Sequence, residues 1–262
     1  MTQNLIENDH ELTYCQDKHL TIVSHQKKSV NDEMSIDTLL HHKARTTQMA
    51  YLHFHDMQQS ITQGLSHANN AQLDIRKACS LGYESGQRST GGGVLLHGRD
   101  LSFGLVLPST IIDTSAQSVM DNYDSINTVV SCAINSFFER HGIHASITSY
   151  NEKSNAKPVS CMSQKTIYDR MLDNKKILGS AQRNKPWGLL HHTSIFIDGY
   201  SQNELELLFD QRFAADVLSH STSLCAYIDL DYHLIHNELK VLISSELSMF
   251  VNTLFEELTI SH

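Results

Sequence analysis

Long apolar runs are missing from this sequence of 262 residues. None approaches the roughly 20 residues that a membrane-spanning helix needs, so the sequence predicts no membrane insertion. The first residues, MTQNLIENDHELTYC, contain neither a basic start nor an apolar stretch. The sequence therefore predicts no signal peptide.

Basic residues are also scarce. The chain has 20 Lys and Arg against 29 Asp and Glu, which gives a formal net charge of −9. Proteins that bind nucleic acid or anionic membranes generally draw their affinity from an excess of Lys and Arg. The composition therefore argues against both kinds of partner, and an acidic ligand would need a local basic site.

Cysteine is rare and its count is odd. The five cysteines are widely separated along the chain: Cys15, Cys79, Cys132, Cys161 and Cys225. This usage is typical of a reducing compartment rather than of a disulfide framework, so we expect a cytoplasmic protein. The 17 histidines form no H-x-x-x-H pair on a clear helix and no cluster with cysteine. The sequence therefore predicts no metal site.

Only three prolines are present, and no Gly/Ser/Pro-rich linker divides the chain. We expect one domain over 1–262, with 1–15 as a variable N-terminal arm. Hydrophobic spacing predicts helices at 30–44, 68–82, 115–142 and in the last 60 residues, and strands at 49–56, 58–65, 93–108, 144–150, 168–184 and 188–199. Asn31 and Ser115 are the expected caps, and Gly82 and Gly142 the expected helix ends. The mixture, without a βαβ rhythm, favours an α+β fold with a mainly antiparallel mixed sheet flanked by helices.

The chain has only 12 glycines, yet three stand together in the segment Arg88-Ser-Thr-Gly-Gly-Gly93. The N–H groups of a glycine loop converge readily on an anion, and an arginine adds a bidentate donor. A simple hairpin turn has the same signature, so both interpretations stand on this segment alone. As a ligand cradle, Gly86–Asp100 would form a loop between strands with the N–H groups of Gly91–Gly93 facing a deep apolar pocket.

A second segment, Lys175-Lys-Ile-Leu-Gly179, sets two lysines at the start of an apolar strand. Side-chain alternation directs one lysine inward and the other outward, and Lys176 shares a face with Leu178. An inward ammonium can stabilise a carbonyl oxygen or a phosphate in a dry pocket. The alternative is a solvent-facing lysine on an edge strand, and alternation alone does not choose between the faces.

Together these segments resemble the family of lipoate–protein ligases, lipoyl/octanoyl transferases and biotin protein ligases. The family's glycine motif corresponds to Gln87–His97, its lysine motif to Asn174–Gln182, and its histidine-pair strand to His191–Ser194. EMSIDTLL at 33–40 resembles the start of the family domain, and Ser60 to Gly64 resembles its S-x-x-x-G strand. The resemblance therefore runs from about residue 30 to about 210. Two departures are Gln87, where the family usually has arginine, and Thr193, where it usually has glycine.

The resemblance implies the fold of the biotin/lipoate protein ligase catalytic domain. It also implies an enzyme that attaches an octanoyl or lipoyl group to a lysine of a lipoyl domain or of a glycine-cleavage H-type carrier protein. Lys176 would be catalytic and hold the acyl carbonyl or phosphate. The residues implied in substrate binding are Arg88, Ser89, Thr90, Gly91, Gly92, Gly93, His97, Gly179, Ser180, Ala181 and His192.

The family divides by how the acyl group is activated, and Cys161 bears on that choice. It precedes Lys176 by fifteen positions in Val-Ser-Cys-Met-Ser, which resembles the nucleophile segment S-x-C-F of cysteine-type octanoyltransferases, with Met162 in place of the aromatic residue. On this reading a Cys161 thiolate takes octanoate from acyl carrier protein as a thioester, without a cofactor. Two alternatives stay open, with Cys161 as a packing residue: a lipoate–protein ligase that uses ATP and Mg²⁺ through an acyl-adenylate, and a non-catalytic module that binds lipoyl domains or fatty acids.

Overall fold

The computed structural model describes residues 12–25, 28–65, 73–150, 162 and 165–260. Within these ranges the chain forms strands β1 Leu12–Asp17, β2 Leu20–His25, β3 Ala50–Phe54, β4 Ser60–Gly64, β5 Glu84–Arg88, β6 Val94–His97, β7 Asp100–Pro108, β8 Thr148–Ser149, β9 Arg170–Leu172, β10 Lys175–Lys185 and β11 Gly188–Phe196. The helices in the same ranges are α1 Val30–Thr47, α2 Ile75–Ser80, α3 Val119–Arg140, α4 Gln202–Leu208, α5 Gln211–His220 and α6 Tyr232–Ile260. A short 3₁₀ helix spans Leu224–Ala226.

Most of the strands belong to one large sheet. In the described ranges its order is β1-β2-β3-β7-β11-β10-β9-β8, and every neighbouring pair except β2 with β3 is antiparallel. A smaller sheet has the order β5-β4-β6, with β4 parallel to β5 and antiparallel to β6. This architecture confirms the predicted α+β class with a mainly antiparallel mixed sheet.

The large sheet is covered on both faces. Leu105 on β7 packs in a core with α3 and α6, while its neighbour Val106 packs with α1 on the opposite face. Leu189 and Leu190 on β11 divide in the same way, as expected from the alternation of side chains along a strand. A separate apolar cluster joins the small sheet to α4 and α5. Among the described residues no helix, α6 with its 29 residues included, combines the length and apolarity needed to cross a membrane.

Two predicted helix caps are wrong. Ser29, not Asn31, caps α1, because the Ser29 hydroxyl accepts the backbone N–H of Asp32 in a capping box, whereas the Asn31 amide donates to the Ser85 carbonyl. α3 begins after Ser118 rather than Ser115. The Ser115 hydroxyl and backbone N–H both donate to the Asp113 carboxylate, at 2.9 and 2.8 Å. Ser115 therefore stabilises the turn before α3 rather than capping the helix.

The predicted helix ends are confirmed. Gly82 (φ +88°) follows α2 and Gly142 (φ +66°) follows α3, and both backbones adopt the left-handed region that favours glycine. Of the helix predicted at 68–82, only Ile75–Ser80 is helical in the described part. Of the strand predicted at 144–150, only Thr148–Ser149 pairs with a neighbour.

The segment Gly86–Asp100 differs from the predicted loop. β5 continues to Arg88 and β6 begins at Val94, so only 89–93 form the loop. The strands on either side of Gly98 belong to different sheets, and Gly98 itself has φ +101°. The chain therefore passes from the small sheet to the large sheet at this turn, which brings His97 on β6 close to β7.

Candidate active site

A pocket lies between the two sheets. It contains about 550 Å³ of empty space, part of it open to solvent. Its lining is that of a small-molecule site, mainly apolar with a few polar groups. Its walls come from α1, the segment after β3, the glycine loop, β6, β7, β10 and β11, and are formed by Met34, His55, Met57, Arg88, Gly92, Leu95, His97, Ser102, Lys176, Gly179, Ser180, Ala181, His192, Thr193, Ser194 and Phe196.

The structure settles which lysine of β10 points inward. Lys175 is exposed and Lys176 is buried in the pocket wall. The Lys176 Nζ atom lies 2.9 Å from Asp169 Oδ1. Asp169 is fixed in turn by Thr166, whose backbone N–H and hydroxyl donate to Asp169 Oδ2 at 2.7 and 3.0 Å. The pocket therefore contains a buried ammonium group held by a buried carboxylate.

Gly179 makes room for this lysine. A Cβ atom at Gly179 would lie 2.9 Å from Lys176 Cε and 3.0 Å from Lys176 Nζ, so any larger residue would displace the side chain. Ser180 and Ala181 continue the pocket wall. The Ser180 hydroxyl donates to Asn127 Oδ1 at 2.8 Å, which ties β10 to α3.

Arg88 organises the glycine loop. Its guanidinium donates to the carbonyls of Thr62, Gly91 and Gly93 at 3.1, 3.2 and 3.0 Å. Gly92 has φ +93° and lines the pocket, while Gly91 and Gly93 direct their carbonyls to the arginine. These bonds assign to Arg88 a role in the loop's conformation, in addition to its place in the pocket wall.

A chain of side chains connects the loop to α1. The Thr90 hydroxyl lies 2.9 Å from His192 Nδ1, and His192 Nε2 lies 2.9 Å from Asp37 Oδ2. Asp37 also contacts His53 Nδ1 and His55 Nε2, each at 2.8 Å. Burial would raise the pKa of Asp37, but His55, His192 and His53 lower it well below the ordinary value. Asp37 is thus a buried carboxylate that orients three imidazoles.

His97 belongs to a second buried network. His97 Nδ1 lies 2.9 Å from Asp100 Oδ2, and His97 Nε2 lies 2.7 Å from the Thr62 hydroxyl. Asp100 Oδ2 also accepts hydrogen bonds from the hydroxyls of Ser102 and Ser194. Burial opposes ionisation of Asp100, but these partners, His97 first among them, lower its pKa to about 2. An ionised Asp100 therefore fixes the orientation of the His97 ring at the pocket wall.

The histidine pair on β11 points to opposite sides of the sheet. His192 lines the pocket, whereas His191 Nδ1 accepts from Gln182 Nε2 at 2.8 Å on the α3 side, where the His191 ring meets Tyr123. Burial, together with the charges of His192 and Arg170, lowers the pKa of His191 to about 3. His191 is therefore a neutral, buried side chain.

The residues implied by the resemblance largely come together. Those that line the pocket are Arg88, Gly92, His97, Lys176, Gly179, Ser180, Ala181 and His192. Ser89, Thr90, Gly91 and Gly93 lie in the loop behind it, and Thr90 reaches the pocket through its contact with His192. Cys161 lies outside the described residues.

Several wall residues were missed from the sequence, chiefly His55, Ser102, Ser194 and the apolar side chains Met34, Met57, Leu95 and Phe196. The sequence does contain a signal for His55. His53 and His55 stand two positions apart in the strand predicted at 49–56, so their side chains share a face. The prediction of no metal site stays a prediction. Among the described residues, two groups have the geometry to bind a metal ion: His25, Glu33 and His53, and Asp37, His53 and His55.

Met162, the residue after Cys161, is described. It is buried in the apolar cluster that joins the small sheet to α4 and α5. It also lines a second pocket together with Phe196. Phe196 lines both this second pocket and the main pocket.

Comparisons with known proteins identify the family of this chain. Residues 29–245 match the family model of the lipoyl protein ligase A/B catalytic domain. The chain is similar to octanoyltransferase LipM of Clostridioides difficile (strain 630), with 27% identity over 131 residues, 48% of this chain and 46% of that protein. It is 24% identical to octanoyltransferase LipM of Brevibacillus brevis over 144 residues, 53% of this chain and 49% of that protein. The chain thus spans about half the length of the curated relatives it matches.

Solved structures share the fold. A lipoate–protein ligase A bound with ATP superposes with a TM-score of 0.65 at 18% identity, over 88% of this chain and 86% of that one. A bipartite lipoate protein ligase of Thermoplasma acidophilum, studied with its E2 lipoyl domain, superposes with a TM-score of 0.61 at 17% identity, over 84% of this chain and 81% of that one. At these identities the likeness establishes the fold alone.

Proposed function

The chain belongs to the family of lipoyl protein ligase A/B catalytic domains, and we propose that it attaches an octanoyl or lipoyl group to a lysine of a lipoyl-carrier protein. One observation carries this proposal: the ammonium group of Lys176 lies in the wall of a mainly apolar pocket that the glycine loop borders. Apolar walls favour an acyl chain by removing it from water. The Lys176 ammonium suits the polar head of an acyl group.

Lys176 acts on the carbonyl oxygen of the acyl group in this proposal. Negative charge develops on that oxygen when a nucleophile attacks the carbonyl carbon, and a fixed ammonium stabilises it. The bond to Asp169 uses one of the three N–H donors of the lysine and fixes its position. Gly179 supports the same role, because it leaves space for the lysine over the strand.

Cys161 is the proposed nucleophile. Its thiolate attacks the thioester carbonyl of octanoyl acyl carrier protein, the carrier's sulfur leaves and takes up a proton, and octanoate is bound to Cys161 as a thioester. The neutral amine of the carrier lysine then attacks the Cys161 thioester, an amide forms with loss of a proton from nitrogen, and the Cys161 sulfur leaves and takes up a proton. The sequence segment around Cys161 and the similarity to two octanoyltransferases support this order of events.

The proposed acceptor is a lipoyl domain or a glycine-cleavage H-type protein, and the proposed donor is acyl carrier protein. The pairing of the Thermoplasma ligase with its E2 lipoyl domain supports an acceptor of the lipoyl-domain kind. Both partners are folded proteins and too large to enter the pocket. They therefore bind this chain around the pocket mouth, and only the acyl group enters.

The ATP-dependent ligase is the alternative activity, and its Mg²⁺ finds little support in the described pocket. None of the described residues lining the pocket is an aspartate or a glutamate, although Mg²⁺ prefers carboxylate and other oxygen ligands. The neighbouring carboxylates Asp37, Asp100 and Asp169 are each bonded to histidine, serine or lysine side chains. The described lining therefore favours acyl binding over a magnesium–phosphate site.

The test is to incubate the purified protein with octanoyl acyl carrier protein and a lipoyl domain, without ATP, and to measure the mass of the lipoyl domain. A gain of one octanoyl group supports the transferase. A gain that appears only with ATP and free octanoate or lipoate supports the ligase. Binding of the lipoyl domain or the fatty acid without any gain in mass, under both conditions, would leave only the non-catalytic module.

A further inference from the structure

A cluster of three side chains lies beside Asp37, outside the residues that line the pocket. His25 ends β2, Glu33 lies in the first turn of α1, and His53 lies on β3. Their side chains are exposed by only 1%, 0% and 0%. Three separate elements therefore direct two imidazoles and a carboxylate to one buried point, which we name the His25–Glu33–His53 cluster.

The three facing atoms of this cluster form a compact triangle. His25 Nε2 lies 2.8 Å from His53 Nε2 and 3.1 Å from Glu33 Oε2, and His53 Nε2 lies 3.2 Å from Glu33 Oε2. Each of the three distances is that of a hydrogen bond, shorter than an ordinary packing contact.

No placement of hydrogen atoms turns all three of these short contacts into hydrogen bonds. A carboxylate oxygen only accepts, and each imidazole Nε2 either donates or accepts. If both Nε2 atoms carry hydrogen, the two N–H groups oppose each other across 2.8 Å. If only one carries hydrogen, a single proton serves contacts to two acceptors, and the other nitrogen faces the carboxylate lone pair to lone pair. A cation between the three atoms removes this conflict, because all three then act as electron-pair donors.

The dimensions suit a small divalent ion. Zinc is bound at about 2.0–2.2 Å by imidazole nitrogen and carboxylate oxygen, so tetrahedral ligand atoms lie about 3.3–3.6 Å apart. The observed edges of 2.8–3.2 Å reach that spacing with small outward shifts of the side chains. Two histidines and one glutamate form one of the known three-ligand zinc sets, which keeps a fourth position for another ligand.

Two surrounding hydrogen bonds orient the side chains of the cluster. Asp37 Oδ1 lies 2.8 Å from His53 Nδ1, which directs the other nitrogen of His53 into the cluster. The backbone N–H of Asp56 donates to Glu33 Oε1 at 3.2 Å, which leaves Oε2 to face the histidines. A carboxylate behind a ligating histidine fixes its tautomer and strengthens it as a ligand.

We propose that His25, Glu33 and His53 bind one divalent transition-metal ion, and that zinc is the ion their chemistry suits best. Asp37 is then the outer partner rather than a ligand, because its oxygens already contact His53, His55 and His192. The ion links β2, α1 and β3, and Asp37 connects it to His192 at the pocket wall. It supports the wall from behind, without contact with the acyl group.

The test uses the full chain, treated with EDTA and then freed of the chelator. Titration with zinc sulfate, followed by calorimetry, is expected to show one equivalent bound, and cobalt(II) is expected to give the visible absorption of a tetrahedral site. Glu33→Gln and His25→Gln are expected to weaken zinc binding by more than the roughly 10–100-fold that loss of an outer partner causes. Asp37→Asn is expected to fall within that range. His141→Gln, at a partly exposed His–Glu pair 2.8 Å apart, is the matched control and should bind zinc normally.

Three results would overturn the proposal. They are the lack of saturable zinc binding by the wild-type chain, binding that Glu33→Gln and His25→Gln leave unchanged, and a cobalt spectrum typical of an octahedral, water-like environment. If a variant unfolds, two measurements on the wild-type chain still decide the question: the cobalt spectrum and the rise in melting temperature on adding zinc. An ion that binds only the folded state must stabilise it. A cluster held by hydrogen bonds alone would show neither.

Discussion

The Nζ atom of Lys176 lies 2.9 Å from Oδ1 of Asp169, and the two side chains are only 5% and 3% exposed. Loss of one member of a buried ion pair is strongly destabilising, because the other charge then lacks a partner in a medium of low polarity. Substitutions of Lys176 therefore affect stability as well as chemistry. Experiments on this lysine need variants that separate the two effects.

Replacing Lys176 by alanine is expected to reduce acyl transfer by about 10²–10³-fold, the usual effect of removing one donor from a developing oxyanion. The matched control is Lys175→Ala, which removes the exposed lysine next to it and should keep nearly full activity. The rate is measured from the mass of the octanoylated lipoyl domain.

The double variant Lys176→Met with Asp169→Asn separates chemistry from folding. It removes both charges together, so its melting temperature should lie above that of Lys176→Ala, while its activity stays low. Wild-type transfer rates in a well-folded double variant would show that Lys176 only stabilises the fold.

Gly179→Ala tests the position of the lysine without removing it. The new Cβ would lie 2.9 Å from Lys176 Cε, and this atom belongs to the far part of a flexible side chain. We expect a small loss of stability and a large loss of transfer, because the ammonium is displaced from Asp169 and from the acyl oxygen. Gly199→Ala serves as the control, since its Cβ would meet only Ser223 Oγ at an ordinary 3.5 Å. Equal activities of the two variants would contradict the prediction.

The sequence predicted the fold class and most of the elements because their signals are local. Gly82 and Gly142 marked the ends of α2 and α3 correctly, since a left-handed residue after a helix strongly favours glycine. The caps were harder, because Ser29 and Asn31 are both good capping residues, and the hydrogen bond from the Asp32 N–H to the Ser29 hydroxyl decides between them. The pairing of β6 and β7 with different sheets depends on distant strands, which no local pattern reports.

The candidate site was predictable where motifs recur in the family and not elsewhere. The glycine loop and the lysine strand identified Gly92 and Lys176 in the pocket wall. The partner of Lys176 was not predicted, because Asp169 has no distinguishing sequence context. The cluster of His25, Glu33 and His53 was also missed, since its members are separated by 8 and 20 positions and meet only when β2, α1 and β3 pack together.

His191 makes stability depend on pH. Burial lowers its pKa from about 6.5 in the unfolded chain to about 3 in the folded one, so the unfolded chain binds the extra proton first as the pH falls. The stabilisation is present above pH 6.5 and is lost between about pH 6.5 and 3, at about 1.4 kcal/mol per pH unit for one proton. Chemical denaturation across this range measures the slope.

His191→Asn removes this titration while keeping an acceptor for Gln182. Its free energy of unfolding should fall less steeply below pH 6.5 than that of the wild type. Parallel slopes for His191→Asn and the wild type would mean that folding does not change the pH at which His191 takes up its proton.

Cys161→Ser is the variant that separates the two mechanisms. If Cys161 is the nucleophile, the wild-type chain incubated with octanoyl acyl carrier protein alone gains one octanoyl mass in a bond that hydroxylamine cleaves. The serine variant should lose turnover, because a hydroxyl without a matched base is a far weaker nucleophile than a thiolate. Intact-mass measurement before and after hydroxylamine detects the intermediate.

Cys132→Ser provides the control for this last experiment, since Cys132 is an exposed free cysteine on α3. It should keep both the transfer and the labile octanoyl group. Labelling that disappears in Cys132→Ser instead would mean non-specific acylation of an exposed thiol.

If Cys161→Ser keeps full activity and that activity requires ATP and free lipoate, the thioester mechanism is wrong. Lys176 would then serve an acyl-adenylate, and the Lys176→Ala variant should fail at adenylate formation rather than at transfer to the carrier.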